Sequence, residues 1–245
     1  PITKWNYQIR RAEDIAWAVA RAFYIASTGR PGPVVLDFTK NAQTAMIEYQ
    51  PQTVDFIRSY NPVPATAEGA IEAAAKMINE SVKPFMLVGQ GVELAGAREE
   101  LLELCEKAQI PFGTTFLGLS AAPTDHPLNM GKLGMHGNLA PNVMTNQCDL
   151  LIAVGMRFDD RVTGNLRTYA KQAKIIHFEI DPSEIDKNVK VNLRANVGPE
   201  EADCVTTGAL ADIFCRAWGE KLSWEDLSDK QKGAFHEAGY LRLDC

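Results

Sequence analysis

Leu150-Leu151-Ile152-Ala153-Val154-Gly155 is the run from which the fold is read. It is a strand ending in glycine, and it shows no apolar–polar alternation. A strand of that kind is expected where helices cover both faces of a sheet. Phe85-Met86-Leu87-Val88-Gly89 has the same character, Ile110-Pro111-Phe112 starts another strand, and Ile175-Ile176-His177-Phe178-Glu179-Ile180-Asp181 is a further one. Between them the apolar spacing is helical: Ala67, Ala70, Ile71, Ala74 and Ile78 over 67–79, and Leu94, Ala97, Leu101, Cys105 and Ala108 over 93–108. Helices are also expected over 139–146 and 206–218. Strands alternating with long helices imply βαβ units around a parallel sheet. The expected class is a doubly wound α/β fold.

Upstream, Ile15, Val19, Phe23 and Ala26 predict an amphipathic helix over 13–27. Gly29-Arg30-Pro31-Gly32-Pro33 forces a turn, and Val34-Val35-Leu36-Asp37-Phe38 reads as a short buried strand. From about 41 to 64 the periodicity vanishes, and Pro51, Pro62 and Pro64 break any regular element. So long an irregular stretch reads as a linker, with a domain boundary near residue 60.

The 245 residues carry 31 Asp and Glu against 25 Lys and Arg, a net charge of −6. That balance argues against nucleic acid as a partner, which calls for a concentrated basic face. Apolar residues are 46% and charged residues 23%, near the globular average and unlike a disordered tail or a rod. No apolar stretch reaches the about 18 residues needed to span a membrane. The five cysteines (Cys105, Cys148, Cys204, Cys215 and Cys245) are scattered, which fits reduced thiols in a cytosol-like compartment. The chain opens on Pro1 without a signal segment and runs almost at once into a helix pattern, so a piece of a longer chain is expected.

In a doubly wound sheet, ligands bind beyond the carboxyl ends of the strands. Gly89-Gln90-Gly91 follows one such end. It could admit an anion to backbone amides or simply make a tight turn, and it is not the dinucleotide fingerprint, since Leu94 stands where a third glycine belongs. Gly131-Lys132-Leu133-Gly134-Met135-His136-Gly137-Asn138 is a loop costly to order, which favours a binding role. His136 has no partners at metal-ligand spacing and reads as a polar loop residue. Gly155-Met156-Arg157-Phe158-Asp159-Asp160-Arg161-Val162-Thr163-Gly164 sets two arginines and two aspartates after a buried strand. They suit an anionic ligand, the alternative being exposed ion pairs. Glu179 and Asp181 could accept ribose hydroxyls, with Asp181-Pro182 also able to cap and start a helix.

Five segments in order resemble one family: Pro1-Ile2-Thr3-Lys4, Ser27-Thr28-Gly29-Arg30-Pro31-Gly32-Pro33-Val34, Leu133-Gly134-Met135-His136-Gly137, Gly155 to Gly164, and Ile180-Asp181-Pro182-Ser183-Glu184-Ile185. They are similar to the catalytic large subunit of acetolactate synthase, also called acetohydroxyacid synthase, over nearly the whole chain and fading after about residue 220. The resemblance implies a three-domain enzyme. Thiamine diphosphate and Mg²⁺ bind between the outer domains, and FAD lies, without a net redox role, across a central six-stranded parallel sheet. The implied reaction decarboxylates pyruvate and joins the hydroxyethyl carbanion to a second 2-ketoacid, on the route to branched-chain amino acids.

By that resemblance residues 1–40 are the end of the pyrimidine-binding domain, 41–61 a linker, 62–220 the central FAD domain, and 221–245 a linker toward a pyrophosphate-binding domain. Arg30 matches an FAD contact. Gly89, Gln90 and Gly91 match the turn near the flavin nucleotide, with Gln90 in place of a commoner small residue. Thr114, Thr115, Phe116 and Leu117, and Leu133, Gly134, Met135 and His136, match segments along the flavin. Gly155, Met156, Arg157, Asp159 and Val162 match the loop around the phosphates and ribityl chain. Glu179 and Ile180 match the adenosine end, with Asp203 and Cys204 as its other wall and Ala202 where the family usually has glycine. Arg161 resembles the arginine that recognises the second ketoacid carboxylate, and Lys40 and Met135 resemble residues of the substrate channel. No catalytic residue and no metal ligand is assigned.

The family's activating glutamate would lie upstream of Pro1 and its Mg²⁺ motif downstream, and no Gly-Asp pair occurs in the sequence. The resemblance therefore implies a piece that is inactive alone, from a homo-oligomer (dimer or tetramer) that can carry a regulatory small subunit. It would work in the cytoplasm, or in an organellar stroma or matrix. Another thiamine diphosphate decarboxylase, carboligase or oxidase is the alternative enzyme, against which Arg157 to Gly164 argues. A nucleotide-binding assembly module is the alternative from a different class.

Overall fold

A computed structural model describes residues 2–62 and 64–196, and the chain divides into two compact units after Pro64. In the first unit, strands β1 (Trp5–Ile9) and β2 (Val34–Phe38) pair in parallel, Trp5 opposite Val34 and Ile9 opposite Phe38. Helix α1 (Ile15–Ser27) connects them, and α2 (Lys40–Thr44) follows β2. A small core gathers Ile9, Ala18 and Ala42, with Tyr7, Ile15 and Leu36 against it.

Helix α1 turns a different face inward from the one its spacing suggests. Ala18, Ala22 and Ile25 are buried, whereas Phe23 is 74% exposed. The helix is apolar nearly all round, so periodicity alone leaves the face open. Packing decides it: the small side chains of Ala18 and Ala22 let the helix close on the strands. Trp17 stands edge-on to Trp5 and Tyr7, with the Arg21 guanidinium over both tryptophan rings.

The stretch after β2 is also less featureless than expected. Asn41 donates from its side-chain amide to the Arg10 carbonyl and ties α2 down. Further on, Ile57 is buried, and the Tyr60 hydroxyl meets the end of α1. The Lys4 ammonium donates to the Thr28 carbonyl at 2.6 Å and to the Tyr60 hydroxyl at 2.8 Å, and that hydroxyl donates to the same carbonyl at 2.9 Å.

The second unit begins with α3 (Ala70–Glu80) and β3 (Pro84–Val88). Next come α4 (Gln90–Leu94), α5 (Arg98–Ala108), β4 (Phe112–Thr114) and a 3₁₀ turn over Phe116–Ala121. Then follow β5 (Asn129–Lys132), α6 (Leu139–Thr145), β6 (Leu150–Val154), α7 (Asp160–Thr163), β7 (Lys174–Glu179) and β8 (Leu193–Asn196). The six strands form one sheet in the order β5-β4-β3-β6-β7-β8, and every pairing is parallel. The chain runs outward from β3 to β5, then restarts on the other side of β3 with β6. That reversal makes β3/β6 the topological switch point.

Both faces of the sheet are covered, which is why its central strands lack alternation. Met86, Val88, Ile152, Val154 and Ile176 pack with Ala74 and Ile78 of α3 and Leu101, Leu104 and Cys105 of α5. Phe85, Leu87, Leu151, Ala153 and Ile175 pack on the other side with Met144, Cys148 and Tyr169. Every residue of β3 and β6 is buried.

Three expectations are corrected and one strand is added. The single helix over 93–108 is two, because Gly96 sits at φ +66 and breaks the helical path between α4 and α5. Strand β4 starts two residues late, at Phe112. Strand β5 has no apolar signature: Asn129-Met130-Gly131-Lys132 is a half-buried edge strand. Asp181-Pro182 opens a turn instead of a helix, with the Asp181 carboxylate accepting from the Ser183 amide and hydroxyl at 3.0 and 2.6 Å. The helix expected over 206–218 lies outside the described residues.

Ile152 is fully buried in β6. Ile152→Ala should lower unfolding free energy by about 2–5 kcal/mol, whereas Leu94→Ala, at a position 61% exposed, should change it by less than about 0.5 kcal/mol. Urea midpoints of the two variants check this.

Candidate functional site

The loops after β3 and β6 touch at the switch point. Gly89 donates its amide to Val154 O and Gly91 donates to Gly155 O, both at 2.9 Å, and Gly155 donates to Phe178 O at 2.9 Å. A Cβ on Gly155 would lie 2.6 Å from the Gly91 Cα, and one on Gly89 would overlap the Gly155 carbonyl. Gly155 also holds φ +58, a left-handed conformation that favours glycine. The Gly89 and Gly91 amides are thus spent on the neighbouring loop. Of the two readings of this turn, the structure shows a tight turn whose glycines let one backbone lie against another.

Around this crossing the other loops converge. The Thr115 amide donates to Val88 O, and the Thr115 hydroxyl accepts from the Gly118 amide at 3.1 Å, starting the 3₁₀ turn that carries Phe116 and Leu117. Gly118 lies so close to Val88 and Gly89 that a Cβ would strike their backbone. Thr114 is buried at the end of β4, and its carbonyl accepts from the Leu133 amide at 3.0 Å. Leu133 and Gly134 are buried, with Met135 and His136 exposed.

The loop that looked costly to order is tied by two asparagines. Asn138 Oδ1 accepts from the Lys132 amide at 2.9 Å, and the Asn138 amide donates back to Lys132 O at 2.6 Å. Asn142 bonds both sides of Gly134, accepting from its amide at 2.9 Å and donating to its carbonyl at 3.0 Å. Neither asparagine stands out in the sequence, because each does its work through a folded backbone.

The Leu133–His136 and Arg157–Gly164 loops meet. The Met135 amide donates to Arg161 O at 2.8 Å, and Arg161 Nη1 lies 3.6 Å from Met135 Sδ. Asp159 caps α7 by accepting from the Arg161 and Val162 amides at 3.1 and 3.2 Å, and Arg157 Nε stands 3.4 Å from its other oxygen. Arg157 and Arg161 reach solvent, whereas Met156 and Phe158 are buried beneath them. Exposed apolar side chains border these cations: Phe116, Leu117 and Met135 are 70%, 61% and 60% exposed. The Lys132 ammonium lies 5.4 Å from the Phe116 ring centre.

At the end of β7 Glu179 is buried, with Oε1 accepting the Asp181 amide at 3.2 Å, and Ile180 is half-buried. Two inner residues carry this rim without a strong sequence signal. His177 is fully buried and Nε2 faces Met156 O at 2.8 Å, while Asn188 donates to Phe158 O at 2.7 Å. Burial pushes the His177 imidazole below its ordinary pKa. The bond to Met156 and the carboxylates of Glu184 and Asp186 oppose that push and are outweighed.

The structure therefore brings together Gly89, Gln90, Gly91, Thr115, Phe116, Leu117, Leu133 to His136, Gly155 to Val162, Glu179 and Ile180 along one edge of the second unit's sheet. Arg30 and Lys40 belong to the first unit, on the turn after α1 and at the start of α2. Asp203 and Cys204 lie outside the described residues. Among the described residues no three metal-binding side chains cluster, and no helix is long and apolar enough to cross a membrane.

Residues 71–201 match the family described as thiamine pyrophosphate enzyme, central domain. The chain is 48% identical to a probable acetolactate synthase large subunit of Methanocaldococcus jannaschii over 228 residues, covering 91% of this chain and 38% of that protein. It is 45% identical to the acetolactate synthase large subunit of Corynebacterium glutamicum over 230 residues, covering 94% of this chain and 36% of that one. A chloroplastic acetolactate synthase of Zea mays is 37% identical over 237 residues, with 96% and 37% covered. The chain thus spans well under half the length of these relatives.

The crossing and the buried imidazole each carry an expectation. Gly155→Ala, which meets both the clash and the left-handed φ, should cost more than about 1 kcal/mol of stability, read as a lowered urea midpoint. Because the folded protein holds His177 neutral below its ordinary pKa of 6.5, the unfolded chain binds the extra proton. Stability should therefore fall as pH drops below about 6.5. Urea midpoints at pH 7.5 and 5.5 should show a smaller decline in His177→Phe than in the wild type.

Proposed function

The chain belongs to the thiamine pyrophosphate enzymes through their central domain, and from that premise we propose that it is the FAD-binding part of an acetolactate synthase large subunit. The observation that carries the reading is the meeting of the Leu133–His136 and Arg157–Gly164 loops beside the β3/β6 switch point. A ligand lying along that edge faces, in turn, buried carboxylate, cation and apolar surface.

These residues suit FAD by their chemistry. The Arg157 guanidinium has the fork geometry for a diphosphate oxygen pair. Glu179 ends a strand where a carboxylate can accept ribose hydroxyls, with Ile180 beside it and Asp203 and Cys204 as the proposed far wall. Phe116, Leu117, Leu133, Gly134, Met135 and His136 offer a largely apolar flank for the flavin ring. Met156 and Val162 close the base of the Arg157 loop, and Gly89, Gln90, Gly91, Gly155 and Asp159 shape it. Arg30 of the first unit is a further proposed FAD contact, and Thr115 holds the turn on which Phe116 and Leu117 sit.

Arg161 is proposed to take the carboxylate of the second ketoacid, with Met135 and Lys40 along its approach. The Met135 sulfur beside the guanidinium steers the Arg161 side chain. An anionic ketoacid held there is placed in register for carbon–carbon bond formation. In the whole protein the carbanion chemistry belongs to thiamine diphosphate with Mg²⁺, and this chain's residues supply position and charge. The proposed reaction condenses two pyruvates, or pyruvate and 2-ketobutyrate, with release of CO₂. The proposed setting is a homo-oligomer, open to a regulatory subunit, in the cytoplasm or an organellar stroma or matrix. The buried free thiols of Cys105 and Cys148 fit a reducing compartment.

Titrating the purified chain with FAD, followed by the flavin spectrum and fluorescence, tests the reading. Bound flavin is expected, and Arg157→Ala should weaken it about 10- to 100-fold, the cost of one charged hydrogen-bonding partner. Binding of ADP with no binding of FAD would instead make this a plain nucleotide module. With thiamine diphosphate, Mg²⁺ and pyruvate the chain alone should form no acetolactate, and product would overturn that expectation.

A further inference from the structure

A carbonyl has no proton to give, so in the 2.8 Å contact between His177 and Met156 O it is Nε2 that carries the hydrogen and donates. Nδ1 is then a bare lone pair, and among the described residues it has no hydrogen-bond partner. The ring is fully buried, with Phe158 edge-on to it at 5.0 Å between centroids. Among the described residues the charged groups around it are Glu179, whose Oε2 is 4.0 Å from Nε2, and the carboxylates of Glu184 and Asp186. Glu184 is paired with Lys187 at 2.9 Å and Asp186 with Arg194. A neutral imidazole with a single job, holding one carbonyl, is what this environment leaves.

That job has a consequence on the other side of the peptide. In a trans peptide the carbonyl oxygen and the following N–H point to opposite sides of the chain. No cis peptide occurs among the described residues. With the Met156 oxygen drawn inward to the ring, the Arg157 N–H faces away from the sheet interior, and no described backbone or side-chain acceptor takes it. The same residue extends its guanidinium to solvent from the same spot.

We propose that His177 is a positioning residue: by fixing the Met156–Arg157 peptide, it presents the Arg157 amide and guanidinium together to one anionic group, the diphosphate of a dinucleotide. This rests on the FAD reading for the identity of the ligand, but not for the orientation of the peptide. His177→Phe keeps a ring in the pocket and removes the donor. His177→Gln keeps a side-chain N–H near the position of Nε2.

The test pairs FAD titration with amide NMR of the chain titrated with inorganic pyrophosphate. The Arg157 amide should shift with pyrophosphate in the wild type and in His177→Gln, and not in His177→Phe. FAD should bind about tenfold more weakly to His177→Phe, as for loss of one well-aimed donor, and within about threefold of wild type to His177→Gln. FAD binding that is equal in all three proteins would overturn the role of His177 and leave the FAD reading standing. A His177-dependent pyrophosphate shift without FAD binding would do the reverse, and no response of the wild type to either probe would overturn both. Should His177→Phe fail to fold, the wild type still decides. Its imidazole must show the Nε2–H tautomer by long-range ¹⁵N correlation, and pyrophosphate must shift the Nε2–H resonance through the hydrogen bond to Met156 O; absence of either sinks the proposal.

Discussion

At the switch point three glycines leave no room for a side chain: Gly89 and Gly91 lie against Gly155, backbone on backbone. Everything at this end of the sheet is referenced to that contact. It sets how near the loops after β3 and β6 approach, and the Thr115 turn stacks on it through Gly118. The Leu133 loop joins through Thr114 O and then reaches the Arg161 carbonyl. A larger residue at the crossing would force apart loops that come from well-separated parts of the sequence. The glycines act by closing the protein on itself, which brings the loops that carry Arg157 and Phe116 to the same end of the sheet.

The layered α/β fold was legible wherever burial was complete. Leu150 to Val154 and Phe85 to Val88 announce themselves because water touches neither face, so apolar residues fill every position. The edges were opaque for the same reason in reverse. Asn129 to Lys132 is held by pairing with β4 and by an asparagine and needs no apolar pattern. Helix α1 posed the opposite difficulty, since its apolar residues surround the axis and only the small size of Ala18 and Ala22 selects the inward face.

The candidate site was legible as a set of segments, through Leu133 to Gly137 and Gly155 to Gly164, and less so as a geometry. Sequence alone could not say that Gly89 and Gly91 spend their amides on the next loop, or that Asp159 both caps α7 and faces Arg157. Nor could it find the residues beneath the rim. Asn142, Asn188 and His177 act on backbone carbonyls and amides, and such partners have no sequence signature. The family resemblance supplied a list of positions; hydrogen bonding explains why those positions stay where they are.

The full burial of β3 and β6 has a consequence for the life of the chain before it is folded. Pro84 pairs with Leu150 and Val88 with Val154, so each central strand must wait for a partner far along the chain while the loop between them closes. Contacts of such long range form slowly. Until they form, Phe85 to Val88 and Leu150 to Val154 are short uncharged segments of high β-propensity with exposed edges, the composition that favours self-association in stacked sheets. The flanking charges, Lys83 before one strand and Asp149 before the other, stand at the entrances of these segments. In the native state Asp149 accepts the Val82 and Lys83 amides at 2.7 and 2.9 Å. The carboxylate that stands at the entrance of one strand thus also pins the start of the other in place.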